Sequence, residues 1–147
     1  MNTDLKQLQI RLKQREVKPT YIRLKILNYL ENNRRHSDAE QIYRAIKKEI
    51  PTISMTSIYN TLDVFQKKNL IKPLFITGSE VRFDVNVSPH HHLFCEGCGK
   101  IIDLDVEYEY LKKKSIEGHK VIEVHGYFKG ICKDCLKKQA NKKRRKK

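Results

Sequence analysis

Residues 54–85 read SMTSIYNTLDVFQKKNLIKPLFITGSEVRFDV, and the pattern changes halfway. From Ser54, whose hydroxyl can cap free amides, Ile58, Leu62 and Phe65 recur at the spacing of one helix face, while Thr56, Ser57, Tyr59, Asn60 and Asp63 fall elsewhere. Lys67, Lys68 and Asn69 end that helix. Two short apolar stretches follow, Ile71 to Ile76 and Val81 to Val85, parted by Thr77-Gly78-Ser79-Glu80, which is a hairpin signature. A helix of roughly Met55 to Lys67 with a β ribbon directly behind it predicts the recognition helix and wing of a winged helix-turn-helix.

The upstream residues supply the remaining helices. Leu5, Leu8 and Leu12 have helical spacing; Pro19 interrupts it, and Thr20 can cap a second helix with Leu24, Leu27 and Leu30 on one face, ending at Glu31-Asn32-Asn33. Ser37-Asp38-Ala39-Glu40 reads as a capping box for a third helix reaching about Glu49, before Pro51. The competing reading is a generic small helical domain. Positive charge in this half and the small polar side chains of the fourth helix favour DNA.

Downstream of Val87 the pattern becomes short β segments, His91 to Cys95, Lys100 to Leu104 and Lys120 to Gly130, with a helix expected near Glu107 to Glu117. The expected organisation is α+β: a winged-helix DNA-binding domain over 1–86, a hinge at 87–89 around Ser88-Pro89, an α/β domain over 90–136, and a basic tail at 137–147. Asn141 to Lys147 has no apolar residue to bury, so the tail is expected to be disordered.

Charge supports the division. The 147 residues carry 31 Lys and Arg against 17 acids, a net +14, distributed as +7 over residues 1–88, −1 over 89–136 and +8 over the last eleven. A basic front half beside a near-neutral middle predicts a polyanionic partner for the front, with double-stranded DNA the leading candidate. The apolar runs are too short to span a membrane and the first residues are charged rather than signal-like, so a cytoplasmic location without membrane attachment is expected.

Cys95, Cys98, Cys132 and Cys135 form two C-x-x-C pairs, and no other cysteine is present. In a cytosolic chain this reads as one all-thiolate tetrahedral site for structural Zn2+, closed to substrate. A thioredoxin-like redox pair and plain buried cysteines compete with it, but two pairs with Gly99 behind the first favour the metal. A zinc deaminase would need Glu two residues after a ligand His and Pro before a C-x-x-C, and the residues around Leu93-Phe94 and Cys95 supply neither. No enzyme activity is expected.

His90, His91 and His92 precede the first pair. Strand alternation places His90 and His92 on one face and His91 on the other, with Cys95, so two imidazoles point away from the thiolates. Asp84, Asp103 and His36 can add ligands, and three nitrogens with two carboxylates suit Fe2+ or Mn2+. By spacing alone, each of those three reads better as an ordinary surface residue.

SIYNTLDVF (57–65), RFDVNVSPHHHLFCEGCGKIIDLD (82–105) and GICKDC (130–135) together resemble the ferric-uptake-regulator family, and within it the peroxide-stress regulator branch. The resemblance implies a homodimeric, metal-dependent repressor whose second domain is a dimerisation domain. It implies Cys95, Cys98, Cys132 and Cys135 as ligands of one structural Zn2+ per subunit, and His36, Asp84, His90, His92 and Asp103 as ligands of one regulatory Fe2+ or Mn2+ per subunit. Asp103 stands where iron-uptake members usually carry Glu, and Asn60 where they usually carry Arg; both favour the peroxide branch. His91 and Pro89 depart from residues common elsewhere in the family, which weakens an additional site built from His91, Glu107, His119 and His125.

The resemblance further implies that metal clamps the two domains, so that two recognition helices enter successive major grooves of a pseudo-palindrome. Thr56, Ser57, Tyr59 and Asn60 are the expected DNA contacts; Asn pairs bidentately with adenine, which points to an A/T-rich operator. With Fe2+, peroxide is expected to oxidise His36 or His90 and end repression of oxidative-stress genes. The alternative is an iron- or zinc-uptake regulator of the same family, or, further off, a zinc-stabilised thiol redox protein.

Overall fold

A computed structural model describes residues 4–76, 78, 80–107, 112–122, 124 and 126–147. The chain divides into two compact units, 1–88 and 89–147. Among the described residues no helix is long and apolar enough to cross a membrane.

The first unit is a winged helix-turn-helix. Helices α1 (Leu5–Gln14), α2 (Tyr21–Asn32), α3 (Ala39–Lys47) and α4 (Met55–Lys67) precede an antiparallel ribbon of β1 (Lys72–Leu74) and β2 (Arg82–Asp84). The apolar stripes read from the sequence converge: Leu12, Leu27, Ile42, Ile58 and Phe65 are fully buried in one core. Thr20 caps α2 by accepting from the Arg23 amide, and Ser54 caps α4 by accepting from that of Ser57. The ribbon is shorter than the apolar stretches suggested, and Thr77 and Ser79 of its expected turn lie outside the described residues.

The cap of α3 lies one residue later than expected. Asp38, not Ser37, accepts from the Gln41 amide at 2.8 Å, and the Gln41 side chain, not that of Glu40, reaches back to the Asp38 amide at 3.1 Å. Ser37 is otherwise engaged. It is buried, its hydroxyl lies 3.3 Å from the Tyr29 hydroxyl of α2, and its carbonyl accepts from the Phe83 amide of β2 at 3.0 Å. Together with an isolated bridge from Asp38 to Arg82, these bonds tie the α2–α3 connection to the wing.

In the second unit, β3 (His91–Cys95) is the central strand, antiparallel to β4 (Ile101–Leu104) and parallel to β7 (Phe128–Gly130). The helix expected near 107–117 is corrected by the structure. Residues 108–111 lie outside the described set, but β5 (Ser115–Ile116) pairs with β6 (His119–Lys120) across Glu117 and Gly118, at φ 49° and 82°. Two successive positive φ values suit a two-residue hairpin turn and break a helix, with Gly accepting the second without a Cβ clash. The segment read as one strand over 120–130 is strand only at Lys120 and over Phe128–Gly130 among the described residues; Glu123 and His125 lie outside them.

The disordered tail is also corrected. Helix α5 (Lys133–Arg145) runs through most of it. Cys132 caps the helix and Asp134 occupies the first turn, where the helix dipole favours an acid; Lys, Gln, Ala and Arg beyond are good helix formers. The expectation weighed the missing apolar stripe and overlooked this start signal.

Candidate metal centres and nucleic-acid interface

The four cysteines converge within the second unit. Cys95 and Cys135 sulfurs are 3.9 Å apart, as are those of Cys98 and Cys132, and all four lie within 4.8 Å of one another. Disulfide-bonded sulfurs sit about 2.05 Å apart. Tetrahedral zinc at about 2.3 Å from each sulfur requires edges of roughly 3.8 Å, so this donor set fits the ion.

The backbone builds the cluster from two directions. Cys95 ends β3 opposite Gly130 of β7; the Gly99 amide, at a residue with φ of 70°, closes the first turn on the Cys95 carbonyl at 2.8 Å. Cys132 caps α5, and its amide donates to the Cys95 sulfur at 3.2 Å. That hydrogen bond, joined by the amides of Cys98 and Gly97 and opposed by burial, holds the Cys95 thiol down at about 6. Cys135 is instead pushed up to about 12, first by its hydrogen bond with Cys132, then by burial and the other thiols. The Cys95 thiolate forms readily and Cys135 resists ionising beside the other thiols; a divalent cation removes that conflict.

Gly97 was overlooked in the sequence. A Cβ there would lie 3.1 Å from the Cys135 sulfur and 3.6 Å from that of Cys95, so a methyl would crowd the Cys135 side chain, which would have to give by a few tenths of an ångström. The signal was available as the Gly inside C-E-G-C.

Each unit also holds part of the nitrogen and carboxylate set. In the second, His90 and His92 each place Nε2 3.3 Å from Oδ1 of Asp103, with ring centroids 4.4 Å apart. The sheet register makes this possible, because His92 pairs directly with Asp103 across β3 and β4. His92 is buried, His90 half-buried and Asp103 exposed. His91 points elsewhere, its ring edge-on to Phe128 at 6.4 Å, as strand alternation requires.

In the first unit, Nε2 of His36 lies 3.3 Å from Oδ2 of Asp84, and both residues are buried. His36 has φ of 53°, a conformation costly for a residue with a Cβ, and it immediately precedes Ser37, which is fastened to Tyr29 and Phe83. The other Asp84 oxygen accepts from the Asn86 amide at 2.8 Å. Neither Tyr29 nor Ser37 was distinguishable from core or cap residues in the sequence.

The residues of the additional site do not assemble among those described. His91 lies against Phe128, Glu107 accepts from Lys112 at 3.0 Å, and His119 belongs to β6; His125 is outside the described residues.

On α4, Thr56, Tyr59 and Asn60 are exposed opposite buried Ile58, Leu62 and Phe65. Ser57 is half-buried, and its hydroxyl lies 3.0 Å from that of the capping Ser54.

Residues 14–128 match the family described as the ferric uptake regulator family. The peroxide operon regulator of Bacillus subtilis is 36% identical over 140 residues, covering 92% of this chain and 96% of its own. The solved ferric uptake regulator Fur of Helicobacter pylori, reported with three functional metal binding sites, is 25% identical with a TM-score of 0.69, over 92% of this chain and 95% of that one. The peroxide stress regulator of Campylobacter jejuni is 27% identical with a TM-score of 0.63, over 90% and 99% of the two chains.

Proposed function

The chain belongs to the ferric uptake regulator family, and from that premise we propose that it is a homodimeric, DNA-binding repressor that senses peroxide through metal-dependent oxidation of its own histidines. The supporting observation is that each unit carries part of an N/O donor set: His36 with Asp84 in one, His90 and His92 with Asp103 in the other. Five such ligands suit one Fe2+ or Mn2+ per subunit, while the four thiolates suit one structural Zn2+.

Because the two sets lie on different units, a shared metal favours whichever arrangement of units satisfies both, and that arrangement is the one that presents α4 to a pseudo-palindromic, A/T-rich duplex. Thr56, Ser57, Tyr59 and Asn60 make the base-side contacts, and the protein acts in the cytoplasm as a regulator, not as a catalyst. Bound Fe2+ supplies one-electron chemistry toward peroxide that Mn2+ does not. His36 or His90 then gains one peroxide oxygen on its ring while the other leaves as water. The altered imidazole is a poorer ligand, the units uncouple, and repression of oxidative-stress genes ends.

Intact and peptide mass spectrometry after Fe2+ and peroxide tests this. One added oxygen on the His36 or His90 peptide is expected, with His91 spared. Asp103→Glu, which lengthens the ligand by one methylene, should still repress with Mn2+ or Fe2+ yet respond far less to peroxide. If peroxide releases DNA equally from the Mn2+ form, or no histidine gains oxygen, the sensing mechanism is wrong.

A second reading, an iron-uptake regulator, is favoured by the structural likeness to the Helicobacter pylori protein, with a TM-score of 0.69. Release of DNA on iron withdrawal, with no response to peroxide, would select it.

A further inference from the structure

Helix α5 differs from the other helices. No residue of Lys133–Arg145 is buried, Asp134 is its one acid, and Lys142, Lys143, Arg144 and Arg145 crowd its last turn. Each of the other helices has at least one basic side chain in an ion pair, as in Arg11 with Glu31, Lys25 with Glu49, Arg44 with Glu40 and Lys67 with Asp63; among the described residues no α5 side chain is in one. Lys138, Asn141, Lys142 and Arg145 recur at i, i+3, i+4 and i+7 and line one shallow hollow. Like charges at that spacing repel, and a helix polar all round lacks a packed face to hold it, so neutralising those charges would stabilise it.

The chemistry of that face selects the partner. Leu136 and Ala140 are the only aliphatic residues of the helix, so there is no apolar stripe to enter a lipid surface. Three cations and an amide donor match phosphate oxygens. At about 1.5 Å of rise per residue, Lys138 and Arg145 lie roughly 10 Å apart along the axis, while each duplex strand carries a phosphate every 3.4 Å or so. Several phosphates therefore fall within reach. Because Cys132 caps the helix, α5 starts directly at the thiolate cluster and is presented from a fixed base.

We infer that α5 is a second duplex-DNA contact, in which Lys138, Asn141, Lys142 and Arg145 meet backbone phosphates and add affinity without sequence preference. The inference rests on the proposed repressor function for the presence of the duplex. Its test uses the full chain loaded with Zn2+ and Mn2+, a random-sequence duplex, and a duplex selected by the parent protein from a random pool. The variant K138Q/K142Q/R145Q is compared with K137Q/K143Q/R144Q, which removes the same charge from other positions of the helix; Gln preserves helix propensity in both.

For the random duplex, the slope of log affinity against log salt should flatten by roughly two to three in the first variant and by less than one in the second. The ratio of selected to random affinity should stay within about twofold of the parent. Equal flattening in both variants, no flattening in the first, or loss of binding to anionic vesicles without loss on random duplex would overturn the inference. If the parent binds the selected duplex and the first variant matches it at every salt, α5 alone is refuted; if the parent selects no duplex, the repressor reading fails with it.

Discussion

The winged-helix unit buries a continuous apolar cluster from Leu8 to Val85, with side chains from all four helices and the wing. In the second unit the buried apolar residues among those described are Cys95, Ile101 and Cys132, two of them thiols of the metal cluster. Ile122, Val124, Tyr127 and Leu136 of that unit are exposed, Ile122 to 84%. One unit is therefore held by hydrophobic burial, while the other, with so little buried apolar surface, is expected to depend on the proposed zinc and, if the chain dimerises as proposed, on a partner surface. On the proposed reading, His90, His92 and Asp103 of the sensing set fall in the unit with the small core, and the DNA-reading helix α4 in the unit with the large one.

The strongest way to break this contrast is to remove the zinc. Structural zinc sites carry on the order of 10–16 kcal/mol of apparent binding free energy, far more than Ile101 and its neighbours can replace. Chelation under mild denaturant, or Cys98→Ser or Cys132→Ser, should abolish protection of β3, β4, β7 and α5 in hydrogen exchange while α1 to α4 stay protected. Simultaneous loss of both units would show that they fold as one body. Elemental analysis without zinc in native protein would remove the premise.

How legible each region was follows the same division. Helices α2 and α4 were readable because Leu24, Leu27 and Leu30, or Ile58, Leu62 and Phe65, serve a core that imposes helical spacing, and because Thr20 and Ser54 cap in the ordinary way. The cysteine cluster was readable because thiol chemistry is specific and C-x-x-C is a local geometry. Where no core imposes a period the reading failed: the end of the helix expected near 107–117 is instead part of a hairpin at 115–120, decided by the turn at Glu117-Gly118, with 108–111 outside the described residues, and the expected disordered tail is α5, decided by its cap. The α3 cap slipped by one residue because Ser37 and Asp38 are both good caps, and the choice depends on Tyr29 and Phe83, distant in sequence. The approach of His92 to Asp103 was not legible from spacing for a similar reason, since it depends on strand register; only the family resemblance put the two in one set.

Phe65→Ala tests the other side of the contrast. Phe65 is fully buried, and truncating such a ring typically costs about 3–5 kcal/mol. Urea unfolding followed by helix signal should shift by that amount for the first unit, while zinc content stays at one ion per chain. Loss of zinc in this variant would mean that the second unit borrows stability from the first.

Gly97→Ala sharpens the comparison inside the second unit. Its Cβ would press within 3.1 Å of the Cys135 sulfur, so the expected cost is that of overpacking, about 1–3 kcal/mol, taken from zinc affinity. Competition with a chromophoric chelator should show about 5- to 150-fold weaker zinc retention, and Phe65-side unfolding should be unchanged. Unaltered retention would mean that the first C-x-x-C turn can open to admit a methyl, and that Gly97 is there for some other reason.

Asp38→Ala should have the smallest effect, and its locality is what makes it useful. Asp38 accepts from the Gln41 amide at 2.8 Å while Gln41 accepts from the Asp38 amide at 3.1 Å, so the substitution leaves the Gln41 amide without its cap, and the reciprocal bond, whose donor is the backbone of residue 38, remains available. Loss of an N-cap costs about 1 kcal/mol, in a range of about 0.5–2. The same residue bridges to Arg82 in the wing and follows Ser37 and the strained His36, so loosening it relaxes the segment that carries a proposed metal ligand. Mn2+ affinity measured by titration calorimetry should therefore fall along with stability, whereas Gln41→Ala, which removes only the reciprocal bond, should lower stability with little change in Mn2+ affinity. Zinc content should be untouched in both. If the two variants weaken Mn2+ equally, the cap acts on α3 as a whole and the connection through His36 does not transmit it.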